Sequence, residues 1–118
     1  MDPYAPYVEA WRTRWADLRR RERERTLRAR VALGAIAETL VRHGARRVIL
    51  FGSLATGRFG LDSDIDVAVE GVAEIFAAAA EAERVSGFTI DLLPLESAFD
   101  HVRRRVEREG VILHERTG

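Results

Sequence analysis

The apolar positions change period along the chain, and each change marks an element. Tyr4, Val8, Trp11, Trp15 and Leu18 recur at spacings of four and three residues, which places them on one seam of a helix. The following stretch, Arg19 to Arg25, alternates charges and offers no apolar face. A second apolar set, Leu27, Val31, Leu33, Ile36, Ala37, Leu40 and Val41, then runs to Gly44, which suits a helix C-cap. The pattern predicts two helices, or one long helix with a polar middle.

From Arg46 onward the period shortens. Val48-Ile49-Leu50-Phe51 is a continuous apolar run, as in a strand buried on both faces. It stops at Gly52-Ser53, and Gly57, Gly60 and Asp62 mark a loop. Asp64 to Val69 alternates with period two, a strand pattern. Residues 73–85 read as an Ala- and Glu-rich helix, and 88–93 as a third strand ended by Pro94. Residues 97–109 read as a helix stopped by Gly110, and Val111-Ile112-Leu113 as a short last strand. With no repeat and no linker, the pattern predicts one α/β (α+β) domain with an N-terminal helical extension, divided as 1–34 and 35–118.

Composition narrows the class. The 118 residues can build one modest core, and no apolar run approaches the roughly 20 residues of a membrane span. Cys is absent, which removes disulfides and thiolate metal sites, and cytoplasm is the expected location. Lys, Asn and Gln are absent too, so all 19 cations are Arg. GC-rich codon usage predicts the all-Arg bias; a hot habitat also fits the lack of Asn, Gln and Cys, though it tends to add Lys. Net charge is zero but unevenly laid out: residues 1–47 carry twelve Arg against six acids, and residues 48–118 carry seven against thirteen. A basic helical part beside an acidic part is expected, with any cation site in the latter.

Within the acidic part, Asp64 and Asp66 are two apart in the alternating segment. Their side chains leave one face with Cα atoms about 7 Å apart, while Ile65, Val67 and Val69 leave the other. Two carboxylates so placed repel, and a divalent cation between them would remove the repulsion. Asp91, flanked by Ile90 and Leu92, has the same place in the third strand. If that strand lies beside the second, three carboxylates share a patch. An all-oxygen set favours Mg²⁺, with Mn²⁺ as the alternative, over Zn²⁺. Gly52-Ser53 directly follows the first strand, where backbone N–H groups and the Ser53 hydroxyl can hold a triphosphate.

These residues carry a family resemblance. Gly52-Ser53, ten intervening residues, then Asp64-Ile65-Asp66 is similar to the motif of the DNA polymerase β-like nucleotidyltransferases. The stretch VILFGSLATGRFGLDSDIDVAVEG resembles the signature of their minimal members (MNT). FTIDLLPLESAF is similar to that family's third-carboxylate strand and VEREGVILHE to its C-terminal segment, so the resemblance spans about residues 35–116. It implies a small mixed sheet flanked by helices. It also implies transfer of a nucleoside monophosphate, AMP from ATP, with Asp64, Asp66 and Asp91 as the metal-binding and catalytic set.

Some MNT proteins act as antitoxins by adenylylating a tyrosine of a HEPN-domain toxin, so the resemblance implies such a partner. The alternative is an MNT module of weak or no activity that neutralises a partner by binding. One departure stands out: the motif's usual Arg is Thr56, which leaves Arg58, two residues on, as the cation that could reach a phosphate. The N-terminal seam suggests packing at home or in a homo-oligomer, with docking to a partner toxin as the alternative, and the Arg run a solvated face rather than nucleic-acid contact. His43, His101 and His114 are assigned no catalytic role.

Overall fold

The computed structural model describes residues 2–116. Its first element, α1 (Ala5–Arg42), is a single continuous 38-residue helix. The polar middle therefore does not interrupt it, and Arg20 and Arg21 pair with Asp17 one turn back on its surface. The helix stops two residues before Gly44, whose φ of 99° no other residue type adopts easily.

Four strands follow: β1 (Arg47–Phe51), β2 (Ile65–Glu70), β3 (Ile90–Pro94) and β4 (Val111–Glu115). Their spatial order is β3-β2-β1-β4. β1 is antiparallel to both β2 and β4, whereas β2 and β3 are parallel. Three further helices, α2 (Gly52–Thr56), α3 (Ile75–Ser86) and α4 (Asp100–Glu109), make the connections. The helix expected from residue 97 begins instead with one 3₁₀ turn at Leu95–Ser97; the chain is extended at Ala98 and Phe99 before α4 starts.

The alternation of β2 divides the core in two. Ile65, Val67 and Val69 join Val48, Leu50 and Ile90 on one face, under Ile36 and Leu40 of α1 and Ala78 and Ala82 of α3. Ala68 and Ile49 face the other way, under Leu95 and Val106. β1 is thus buried on both faces, as its unbroken apolar run requires. Arg47 ties the sheet's far end together, with Glu70 on β2, Glu107 on α4 and Glu115 on β4 all within 4.0 Å.

The α4 side of the sheet is where the carboxylates stand. Asp66 and Asp91 share it with Ala68 and Leu93 and lie at its end, beside Phe51, where the second cluster stops. Arg25 of α1 fixes the adjacent loop. Its guanidinium stacks 4.6 Å over Phe59 and 5.2 Å over Phe88 and donates to the Gly60 carbonyl at 2.8 Å.

Candidate active site

One row of the sheet register crosses the site. Phe51 of β1 pairs with Asp66 of β2, and Asp66 pairs with Asp91 of β3. The parallel β2–β3 pairing is what sequence could only suppose, and it brings two of the three carboxylates side by side. Asp64 is placed differently from expectation. β2 begins at Ile65, so Asp64 is the exposed last residue of the loop rather than a strand residue. The loop supplies Asp64 and stops short of strand geometry because Gly60 and Ser63 close a turn, with the Gly60 N–H donating to Ser63 Oγ at 2.9 Å.

Electrostatics mark Asp66. Its carboxyl is raised from 3.8 to about 6, first by burial, then by the negative charges of Asp91 and Asp64 and by a hydrogen-bonding contact with Asp91. In a chain with 19 Arg, no ion pair among the described residues engages Asp64, Asp66 or Asp91. The carboxylates repel one another uncompensated, which fits residues that take an external cation. They are not a finished cage: among the described residues, no three His, Cys, Asp or Glu side chains are already gathered as a metal-binding group.

Gly52 is fitted to Asp66. It has φ of 71°, and a Cβ there would collide with the Asp66 carboxylate, with Cγ only 2.9 Å away. The glycine therefore serves the acid directly, besides letting the chain turn from β1 into α2. That helix is a single short turn, capped by Gly57 at φ 80°. Ser53 is partly exposed on it, and Thr56 turns its hydroxyl inward to the Gly52 carbonyl at 3.1 Å.

Two adjoining pockets flank this corner. One, of about 310 Å³, is lined by Phe51, Gly52, Asp66, His101, Val102 and Arg105. The other, of about 320 Å³, is lined by Gly52, Ser53, Thr56, Arg58, Arg105 and Glu109. The predicted nucleotide-binding residues Gly52, Ser53 and Arg58 thus share one pocket. Arg105 is the residue that sequence reasoning missed. It borders both pockets and rests on Glu109 at 3.3 Å, with most of its side chain in solvent. It is hidden in the run Arg103-Arg104-Arg105, where only the fold of α4 across β1 distinguishes one arginine from the next. A larger pocket, about 460 Å³, lies on α1 between Arg19, Arg23, Arg30 and Phe59, away from the carboxylates. Of the histidines, His43 pairs with Glu81 of α3, and His101 borders the carboxylate pocket, stacked on Phe99.

Comparison with known proteins agrees with this geometry. Residues 35–117 match the family "Polymerase beta, Nucleotidyltransferase". The chain belongs to that family. A solved structure assigned as a minimal nucleotidyltransferase is similar at 32% identity and TM-score 0.63, over 74% of this chain and 92% of that one. That places the chain among the minimal nucleotidyltransferases. A toxin–antitoxin crystal structure with AMP-PNP shares the fold at 24% identity and TM-score 0.65, covering 70% of this chain and 73% of that one. So does the complex of the tri-AMPylated HEPN toxin of Shewanella oneidensis with its MNT antitoxin, at 21% identity and TM-score 0.59, covering 74% and 72%. No curated protein matches the chain. Among the described residues no helix is long and apolar enough to cross a membrane.

Proposed function

We propose that this nucleotidyltransferase moves AMP from ATP onto a tyrosine hydroxyl of a HEPN-domain toxin and so acts as its antitoxin. The observation that carries the reading is the Asp66–Asp91 pair, held in register with no ion pair to either acid among the described residues, against a glycine that leaves the acid its space. The complexes of MNT with HEPN toxin among its structural neighbours, one of them bearing a tri-AMPylated toxin, support the choice of acceptor.

Asp64, Asp66 and Asp91 would hold Mg²⁺, or Mn²⁺ in its place. When bound, such an ion screens the carboxylates from one another and neutralises charge on the phosphates. The protein's own part is positioning. Ser53 and Arg58 line the pocket for the triphosphate, and Arg105 reaches the same pocket from α4, on the side where Thr56 offers no charge. The acceptor oxygen attacks the α-phosphorus, the bond to the bridging oxygen breaks, and pyrophosphate leaves. The acceptor's proton passes to Asp91, the more exposed of the paired acids.

The test is to incubate the chain with its HEPN partner, Mg²⁺ and ATP labelled on the α-phosphate. Label should appear on a partner tyrosine and vanish when Asp64 and Asp66 are both changed to Ala. Undiminished labelling by that variant overturns the assignment of the site. The second reading, neutralisation by binding alone, is favoured by the apolar face that α1 leaves uncovered. It predicts that the same variant still neutralises the toxin.

A further inference from the structure

The seam that opens the sequence does not end at Leu18. Continued at the same spacing it passes through Glu22 and Arg25 to Ala29, Ala32 and Ile36. Ala29 and Ile36 are fully buried against the chain's own domain. Trp11 and Trp15, on the same line of the same helix, are 58% and 53% exposed, and Tyr4 at its head is 69% exposed. At 1.5 Å per residue α1 is about 57 Å long, and the molecule is drawn out to 70 × 30 × 22 Å. One helix thus carries one line of positions, polar at Glu22 and Arg25 but apolar on either side, its second half occupied at home and its first half bare. The family match begins at residue 35, so the bare half lies outside it.

The flanks of the bare seam say what can cover it. At about 100° per residue, Arg12 and Arg19 line one side of the bare half and Arg14 and Arg21 the other. Arg12 pairs with Glu9 and Arg21 with Asp17, and the five arginines of residues 4–21 outnumber its two acids. Two α1 seams laid together, parallel or antiparallel, would set arginine rows against arginine rows, so a second α1 is repelled. With Tyr7 beside Tyr4 and Trp11, the apolar stripe widens to about three positions in seven at its head, the width of a face that packs on another helix. The covered half shows the matching chemistry: α3 packs there, and its Glu81 meets Arg42 at 3.6 Å and His43 beside it.

We propose that the first half of α1 is a docking surface for an amphipathic helix of another protein, apolar along its seam and lined with Asp or Glu on both sides. The surface stands whether or not the carboxylate site transfers nucleotides. Binding buries Trp11 and Trp15, the chain's two tryptophans, so intrinsic fluorescence reads this surface alone.

The probe is a synthetic three-heptad helix with Leu along the seam and Glu on the flanks. It should bind saturably, blue-shift the tryptophan emission and weaken as salt rises. Trp11→Ala with Trp15→Ala should weaken binding of the labelled peptide at least about tenfold while leaving the urea midpoint unchanged, since both residues are exposed. Changing Arg12, Arg14, Arg19 and Arg21 to Glu should transfer the preference to the same peptide with Arg flanks. The proposal is overturned if the peptide does not bind, or if Glu- and Arg-flanked peptides bind the unaltered chain alike. It is equally overturned if the unaltered chain sediments as a dimer that the two tryptophan changes dissolve, or if only anionic lipid vesicles shift the emission.

Discussion

Changing Asp66 to Asn tests whether the acid is held at the expense of stability. Folding raises the Asp66 carboxyl from 3.8 to about 6. The native state therefore holds this proton more tightly than the unfolded chain. A raised carboxyl contributes its stability in full below about pH 3.8, and that contribution is lost as pH rises through about 6. Two pKa units correspond to a ceiling of about 3 kcal/mol at 1.36 kcal/mol each. Part of Asp66 still meets water, and solvent screening brings the expected value to ~1–2 kcal/mol.

The Asn variant should then be more stable than the unaltered protein near pH 8, in a chelating buffer, by ~1–2 kcal/mol. That is roughly 3–10 °C in Tm for a domain of this size. The advantage should shrink steadily towards pH 4. Urea melts across that range measure it. Adding Mg²⁺ at pH 8 should raise the midpoint of the unaltered protein and move the variant less. A variant less stable than its parent at pH 8, or a difference independent of pH, would refute the reasoning.

Three further outcomes are expected. Gly52→Ala should destabilise by at least ~2 kcal/mol, since it combines a strained φ with a collision; Gly57→Ala, with similar φ but open space, should lose only ~1 kcal/mol, and urea midpoints compare them. Arg105→Ala should raise KM for the nucleotide about tenfold with kcat and Tm little changed, and adding Thr56→Arg should recover most of the loss. Ile36→Ala, fully buried between α1 and the sheet, should cost about 2–5 kcal/mol in the same melts.

Much of the fold is legible because local pattern and tertiary demand coincide. β1 announces its two-sided burial in four consecutive apolar residues, and β2 states its division of the core by alternating through Ile65, Asp66 and Val67, with Ala68 and Val69 then buried as well. Where they part, sequence falls short. Nothing in residues 88–94 says that β3 runs parallel to β2 in the register that sets Asp91 against Asp66; the pairing belongs to the crossover through α3. Alternation carries the expected strand one residue too far, to Asp64, because it continues past the point where the Gly60–Ser63 turn ends. The expected helix from residue 97 runs through the extended Ala98 and Phe99 because nothing between Ser97 and Asp100 is Gly or Pro to mark the break. Arg105 and His101 reach the site only because α4 lies back across β1 and β2. The Trp11–Trp15 seam is legible as a face, but no local rule tells a helix which half of that face its own domain will cover.

The central claim is that the three aspartates and the Gly52-Ser53 corner hold a nucleotide through a metal. The most direct measurement is calorimetric titration with an ATP analogue whose β–γ bridge is nitrogen, in Mg²⁺ and again in chelator. Binding should appear with Mg²⁺, disappear in chelator, and disappear when Asp66 and Asp91 are both changed to Ala. Equal affinity in chelator, or in that variant, would contradict it.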